Sequence, residues 1–426
     1  MYPRLSLALG LVLALATPAH PGSTIIGWLA EGQYGSNNGA VYSPMATCSF
    51  GAQIAEALNQ TQFRDSVTLS NLTTYVTTNT RASNQDLHIR VGGVNGSSVT
   101  ITAGAADQFF TEAVTTDAIV ADNLVVHGKT TWSGAGSALV HSTTAQMTTA
   151  GNRTVYLLGS AGGINVSAAA ALSYLPINGQ LAGNVTATIT DVEYKIRAPG
   201  FAYGFQVAHE ATTANFDNVL TLYRNGVATA LTCTITAGTG SCIDTTNTVR
   251  IASGDMLAVG TDTGAGSATI DISRTGLFIR SDTNAADIGN FGGEVYNTGT
   301  PFTNYIGIIG NGNIYDTTEA NKRIKIPFAT TVGRFRVFGT QGTHNVTYTL
   351  RVNSADSALT VPLVAGSALD WYETSPTASV TLAAGDTLSV ELDAPAGSVG
   401  SVFGVGLTLN YNPSPTGSTS DVFVVQ

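Results

Sequence analysis

Residues 219–259 read VLTLYRNGVATALTCTITAGTGSCIDTTNTVRIASGDMLAV. Apolar and polar residues alternate in short runs, and Asn-Gly, Ala-Gly and Gly-Asp pairs separate the runs. Alternation with a period of two is typical of half-buried strands, and Asn-Gly is typical of a tight hairpin. Because strand follows strand without an intervening helix, the stretch predicts antiparallel sheets packed face to face.

The same order of signals occurs in residues 86–126 and 346–390. In all three stretches an apolar strand ends in Arg, a second strand ends in a Gly turn, a Thr/Val strand follows, and a turn with Asp precedes an apolar strand. The closing motifs are ADNL at 121–124, GDML at 254–257 and GDTL at 385–388. An ordered recurrence at about 130 residues predicts tandem copies of one structural unit.

The predicted fold class is therefore all-β, with three tandem antiparallel β-sandwich units. We place them at residues 20–150, 151–285 and 286–412, with boundaries in Gly-rich stretches. Units of this length suit either a jelly roll or an Ig-like sandwich, and the sequence does not distinguish the two strand orders. Two short amphipathic helices are also predicted, one at 52–60 and one at 166–175.

Both ends of the chain differ from the units. Residues 1–19 combine a short positive start with the apolar run LSLALGLVLALA, which predicts a signal peptide or an apolar N-terminal anchor. Residues 413–426 begin as a linker and end in the apolar VFVV, a candidate strand for another chain's sheet edge. We expect a secreted, extracellular or virion-surface protein with no membrane span in the mature chain.

Charge is scarce in this chain. Only 11% of the 426 residues are charged and the formal net charge is −10, so we expect no nucleic-acid partner. The one basic cluster is interpreted as a solvated strand face, with a patch for an anionic partner as the alternative. It comprises Lys322, Arg323, Lys325, Arg334 and Arg336.

Three cysteines are present. Cys233 and Cys242 flank a turn at 237–240, and a hairpin there would bring them together as a disulfide in an oxidising compartment. Two buried free thiols are the alternative. Cys48 is left over, and we expect it to be buried or paired with another chain.

The sequence contains no recognisable catalytic motif, and we predict that the protein is not an enzyme and needs no cofactor. A carboxylate pair of the glycosidase type stays open among Glu193, Glu210, Glu294, Glu373 and Glu391. Calcium is a lesser possibility at the loops 244–247 and 262–266. Three aromatic residues are possible ligand contacts, for instance with a surface glycan: Trp132, Trp371 and Tyr372.

The stretches NGVATALTCTITAG and SCIDTTNTV, with the Gly-Asp-Met-Leu turn, resemble β-rich structural proteins of tailed bacteriophages and bacterial secreted surface proteins. The resemblance implies sandwiches used for assembly or adhesion. Our first hypothesis is a structural subunit of a virion (decoration, fibre or capsid-associated) or of an extracellular filament or surface layer, with copies of itself or other structural subunits as partners. The alternatives are a secreted adhesin or carbohydrate-binding module and, more distantly, a polysaccharide hydrolase.

Overall fold

The computed structural model describes residues 22–34, 40–45, 56–112, 115–129, 135–149, 154–166, 172–179, 185–209, 217–236, 240–262, 270–297, 299–309 and 315–410. Within these residues the protein is almost entirely β, with one helical turn, α1 (Glu56–Asn59), and two 3₁₀ turns, η1 (Ile189–Asp191) and η2 (Glu319–Lys322). The predicted segments 1–19 and 413–426 lie outside the described residues, as does Cys48.

The strands fall into three groups along the chain. The first group is β1 (Ser23–Tyr34), β2 (Val41–Pro44), β3 (Thr61–Gln62), β4 (Val67–Asn79), β5 (Gln85–Val91), β6 (Val94–Ile101), β7 (Gln108–Thr111), β8 (Thr116–Ile119), β9 (Leu124–Lys129) and β10 (Ala138–Thr149). The second is β11 (Val155–Val166), β12 (Ser173–Pro176), β13 (Tyr194–Lys195), β14 (Gly200–His209), β15 (Asn218–Arg224), β16 (Val227–Ile235), β17 (Ser241–Ile243), β18 (Thr248–Ile251), β19 (Met256–Asp262) and β20 (Ile270–Ser281). The third is β21 (Ala286–Asn297), β22 (Phe302–Ile306), β23 (Tyr315–Asp316), β24 (Ile324–Lys325), β25 (Thr330–Gln341), β26 (Val346–Val352), β27 (Ala355–Leu363), β28 (Ser367–Glu373), β29 (Ser379–Leu382), β30 (Thr387–Ala394) and β31 (Val399–Leu409).

Each group forms two antiparallel sheets whose strand order recurs in every unit, and unit three adds one short strand, β23, beside β22. In unit one the orders are β1-β10-β4-β7, with β8 also on β4, and β2-β9-β5-β6, with β3 also on β9. If the eight strand positions are lettered B to I along the chain, these orders read B-I-D-G and C-H-E-F. They are those of a jelly roll, so the prediction of three β-sandwich units is confirmed and the Ig-like alternative is excluded.

Hairpin turns mark the same position in each unit. Strands E and F are joined by Gly92-Gly93, Asn225-Gly226 and Asn353-Ser354, and φ is positive at all six residues. Two successive positive φ values define the type I′ turn, whose twist suits a two-residue hairpin. This turn accounts for the Asn-Gly pair at 225–226, which predicted a tight hairpin.

The last motif of the repeat is shifted by one residue in unit one. In the short strand before D, Thr61, Tyr194 and Ile324 are equivalent residues. They pair with Val125, Leu257 and Leu388 of strand H, respectively. Asp122 therefore occupies the position of Gly254 and Gly385, and φ is positive at all three. The sequence alignment instead matched Asp122 to the Asp that follows each glycine, which is wrong. An Asp tolerates the left-handed conformation better than most residues, so it can replace the glycine here.

Of the two predicted helices, the first is present in its described part. It is the single turn α1, and its predicted start at 52–55 lies outside the described residues. The helix at 166–175 is wrong at both ends, because Val166 closes β11 and Ser173–Pro176 is strand β12 on β19. Residues 167–171 between these two strands lie outside the described residues. Among the described residues, no helical segment has the length and hydropathy needed to cross a bilayer.

Two apolar clusters fill the sandwiches. One lies in unit one and extends into unit two through Val155, Leu157 and Phe278. The other runs without a break through units two and three. The three sandwiches are thus packed on one another rather than strung on linkers, and the contacts between them position the groups described below.

The structure joins Cys233 and Cys242 in a disulfide, with the Cα atoms 5.6 Å apart. The expected hairpin is wrong, because Cys233 lies in β16 and Cys242 in β17, which belong to different sheets. The bond therefore ties the two sheets of unit two together. Its formation in solution stays a prediction.

We expect the Cys233→Ser/Cys242→Ser variant to lose about 2–3 kcal/mol of unfolding free energy, because the unfolded chain loses a short covalent loop. A matched control is Cys233→Val/Cys242→Tyr, the pair at the same positions of unit three, Val361 and Tyr372. Urea denaturation with and without a reductant checks both. The reductant should lower the stability of the wild type and leave the Val/Tyr variant unchanged; an equal response of the two would contradict the bond.

Candidate functional site: the contacts that join the three units

Each unit has a short strand that precedes strand D in the chain and pairs with strand H. This short strand makes the contacts with a neighbouring unit. In the three units this strand is β3, β13 and β24. It meets the outer face of the B-I-D-G sheet of a different unit. The receiving strand D carries a bulge, where Asn71, Gly204 and Arg334 all have positive φ. A bulge re-aims the side chains that follow it, and the second residue after it makes the contact in two of the units.

Unit one binds unit two through β3 and the residues after it. The Gln206 amide accepts from the Gln62 backbone N–H at 3.0 Å and donates to the Gln62 carbonyl at 3.2 Å. The Phe63 ring lies 5.4 Å from that of Phe278. Asp65 accepts from Arg280 at 2.7 Å and from the Tyr203 hydroxyl. This contact combines a neutral amide pair, an aromatic pair and a partly exposed ion pair.

Unit two binds unit three through Tyr194 in β13. Its hydroxyl donates to the Ile288 carbonyl at 3.2 Å and accepts from Arg336 at 2.8 Å. A Cβ built on Gly289 would lie 2.4 Å from this oxygen, so only glycine leaves room for it. Burial raises the pKa of the Tyr194 hydroxyl well above its usual range, so it stays protonated.

A buried ion pair completes this contact. Arg336 and Asp287 are 3.2 Å apart and both side chains are fully buried. The second oxygen of Asp287 accepts from the backbone N–H groups of Arg197 and Ala198, at 2.6 and 2.9 Å. Burial disfavours the charge of Arg336, but Tyr194 and Asp287 outweigh it and raise the Arg336 pKa. Nearby, Arg197 forms a second ion pair across the boundary with Glu373.

Unit three binds unit one through η2 and β24. The hydroxyls of Ser142 and Thr144 in β10 donate to the carbonyls of Arg323 and Lys325, at 3.0 and 3.1 Å. The Lys325 ammonium donates to the Thr111 hydroxyl at 3.2 Å and lies 5.9 Å from the centre of the Phe109 ring. Hydroxyl and carbonyl groups thus make most of the hydrogen bonds described at this third contact.

The three contacts run in one direction and return to their start. Unit one binds two, two binds three and three binds one, each with the same strand against the same sheet. Contacts of this head-to-tail kind close into a ring when the rotation between units is right, and here the ring closes within one chain. At the closure, the Asn410 amide donates to the carbonyls of Ser23 and Asn284, at 2.8 and 3.0 Å.

The basic cluster lies in these contacts, so its interpretation as a solvated strand face is wrong. Arg336 is fully buried beside Asp287, and Arg334 lies 3.6 Å from Glu373. Lys322 is also fully buried. A charged residue on an outward strand position looks the same in sequence whether water or another unit covers it.

The aromatic candidates fall in different places. Trp371 is only 4% exposed, stacks on Phe338 at 5.2 Å and donates its indole N–H to the Glu193 carbonyl at 2.9 Å. It anchors unit three to unit two and is closed to a surface ligand. Tyr372 is half-buried and donates to the Ala368 carbonyl at 2.8 Å, so a ligand contact there stays a prediction. Trp132 lies outside the described residues.

The predicted carboxylates are mostly engaged in the fold. Glu193 accepts from the Gly226 N–H at 3.0 Å, and burial raises its pKa. Glu373 binds Arg197, and Glu391 lies 2.7 Å from Arg351. Glu210 and the side chain of Glu294 lie outside the described residues.

The calcium candidate at 244–247 is an Asx turn. The Asp244 carboxylate accepts from the backbone N–H groups of Thr246 and Asn247, both at 3.0 Å, and from Thr232 at 3.1 Å. These bonds lower the Asp244 pKa in spite of burial, the largest influence, which raises it. Most of the loop at 262–266 lies outside the described residues, and the described part of the chain has no cluster of three or more His, Cys, Asp or Glu that would hold a metal.

Several contact residues carry no recognisable signal in the sequence. Tyr194 and Gln62 occupy short strands with no periodicity, and Asp65 follows one of them. Asp287 was findable in principle, because a lone carboxylate in the apolar run ADIGNFG needs a buried partner. Its partner lies 49 positions away along the chain in another sheet strand, and no spacing rule connects the two.

Comparisons with known proteins add little to this geometry. No family model matches the chain, and no curated protein matches it. Among the solved structures that it resembles is one described as "The Triple Jelly Roll Fold and Turret Assembly in an Archaeal Virus". That match has 12% identity and a TM-score of 0.18, and covers 82% of this chain and 80% of the other. The strand order and the contacts above stand independently of it.

Proposed function

We propose that the chain is a structural subunit of a virion, in which three covalently linked jelly rolls act as one preassembled building block. The observation that carries the proposal is the closed ring of head-to-tail contacts. A ring of this kind is usually made by three separate subunits, and linking them fixes their stoichiometry. The ion pairs at these contacts support a structural role, because Arg336 and Arg197 bind Asp287 and Glu373 across the boundary or beside it.

The remaining surface suits packing against neighbours. Few charges are present to repel another copy, and Val94 and Val227 are exposed by 69% and 67% at the E–F hairpin tips of units one and two. Unit three has Ala355 in place of these valines. Exposed apolar groups at equivalent places are candidate contacts between copies.

Free sheet edges contribute less to such packing. On the F edge, the Ser97 and Thr232 N–H groups donate to Asp117 and Asp244, and the Leu359 N–H donates to the Ser357 hydroxyl. Side chains of the same unit thus occupy donors that a foreign strand would need. Blunted edges direct assembly to faces and hairpin tips.

The test is the intact mass of the protein from its native source together with the mass of the particle that contains it. We expect many copies per particle. The Val94→Asp/Val227→Asp variant should reduce the assembled fraction about tenfold with an unchanged melting temperature, whereas Ala355→Asp, its control at the tip of unit three, should assemble normally. A chain found only as a soluble monomer that binds a glycan would replace this proposal with the adhesin.

A further inference from the structure

An open cleft of about 580 Å³ lies at the F–G side of unit one. Its wall is formed almost wholly by oxygen-bearing side chains. These are the carboxylates of Glu112 and Asp117 and hydroxyls that include those of Ser97, Thr111, Thr115 and Thr116. A wall of carboxylate and hydroxyl oxygens without nitrogen or sulfur is the ligand set of a hard cation.

Glu112 is the unusual member of this wall. Its side chain is only 6% exposed, and one oxygen accepts from the Leu72 N–H at 3.0 Å. The other oxygen, Oε1, is buried and has no hydrogen-bond partner among the described residues. A buried carboxylate oxygen without a donor is costly unless a cation or a proton satisfies it. Burial, the largest influence, raises the Glu112 pKa and the charge of Asp117 adds to this, whereas hydrogen bonding with the Leu72 N–H, the Ser97 hydroxyl and the Thr115 N–H opposes it.

Unit two supplies an internal comparison. Thr111 and Ile243 pair with equivalent positions of strand D, so Glu112 and Asp244 are the next residue in each unit. Asp244 is surrounded by donors, since three backbone N–H groups and the Asn247 amide bind it. In unit two, Asp244 accepts from a backbone N–H of strand F. In unit one, Asp117 instead accepts from such a group, the Ser97 N–H, at 3.0 Å. Glu112 keeps its carboxylate and has the Thr115 N–H and the Ser97 hydroxyl near it, but its Oε1 has no hydrogen-bond partner among the described residues.

We infer that the cleft of unit one binds a calcium ion, with Glu112 Oε1 and Asp117 as its charged ligands. The neighbouring hydroxyls and water complete the coordination. Calcium suits the site better than magnesium, because it accepts irregular geometry and a mixture of ligands at 2.3–2.6 Å, whereas magnesium requires a near-ideal octahedron. The ion would offset the repulsion between the two carboxylates and brace strands F and G of unit one.

The test uses the full-length chain, freed of metal with EDTA and titrated with CaCl₂ by calorimetry and by thermal melting. We expect binding with a dissociation constant of about 10⁻⁴–10⁻³ M, the range of extracellular modules, and a rise in melting temperature. Glu112→Gln should weaken the binding at least about tenfold. Asp356→Asn, a control of equal charge change at a side chain 62% exposed in unit three, should bind normally.

Three results would overturn the assignment. They are no calcium-dependent heat or melting shift in the wild type, an unchanged affinity in Glu112→Gln, and an equal response to MgCl₂. If Glu112→Gln does not fold, Asp117→Asn takes its place, with the same expected loss. If a proton rather than an ion satisfies Glu112, the wild type will show no response to CaCl₂ and the Glu112→Gln variant will have unchanged stability.

Discussion

The Asp287→Ala variant is expected to lose about 3–5 kcal/mol of unfolding free energy, because it leaves a fully buried Arg336 guanidinium without its counter-charge. The same change removes the acceptor of two backbone N–H groups, those of Arg197 and Ala198, which belong to the neighbouring unit. The loss should therefore fall on the boundary between units two and three. Urea denaturation measures it, and limited proteolysis between the two units should accelerate in parallel.

The matched control is Asp282→Ala. Asp282 also pairs with an arginine, Arg250, but the two side chains are 29% and 40% exposed. Pairs of that exposure contribute about 0–1 kcal/mol. If Asp287→Ala were no more harmful than this control, the buried pair would not be what holds units two and three together.

Much of the unit could be predicted because its determinants are local. The I′ turns and the alternation of apolar and polar residues are contained within some 40 residues, three times over. The arginine next to the end of strand E, by contrast, has its partner outside the repeated stretch: Arg90 binds Glu56 at 2.9 and 3.1 Å, and Arg351 binds Glu319 at 3.1 Å. These pairs tie the short helical turn of a unit to its E–F hairpin. The sequence alignment was off by one residue at Asp122. There an Asp replaces the turn glycine of the other two units, and the alignment relied on residue type alone.

The ring could not be predicted, since its determinants are distant in sequence. Gln206 and Arg336 occupy the same place in two units, yet one meets a backbone amide and the other a buried carboxylate. Only the next unit decides which partner is present. Jelly-roll strand order was likewise hidden, because Greek-key connections leave no periodic mark in a sequence.

The scarcity of charge has a structural counterpart. Several of the few charged side chains lie inside the contacts between units, as with Arg336, Asp287 and Arg197. A charged pair taken out of water tolerates only one geometry, and it therefore selects one neighbour and one register. Such pairs join units two and three, whereas the hydrogen bonds described between units three and one come mainly from hydroxyl groups. The order of the ring is thus encoded in residues that differ between copies of an otherwise repeated unit.

Acid should weaken unit one through His127. This residue is fully buried on strand H, where units two and three have Val259 and Val390, and burial with the charge of His88 lowers its pKa from 6.5 to about 3. The unfolded chain takes up a proton near pH 6.5 but the folded chain only near pH 3. Stability is therefore full above pH 6.5 and falls by about 1.4 kcal/mol per pH unit through that window, or roughly 3 kcal/mol by pH 4.

Replacing His127 with valine, the residue of the other two units, should remove this part of the pH dependence. Other groups titrate in the same range, so the quantity to measure is the difference in urea unfolding free energy between wild type and His127→Val at each pH from 7 to 4. That difference should grow in favour of the variant as the pH falls. A difference that stays constant would mean that the buried imidazole already carries its proton in the folded unit, and that a counter-charge close to it offsets the burial.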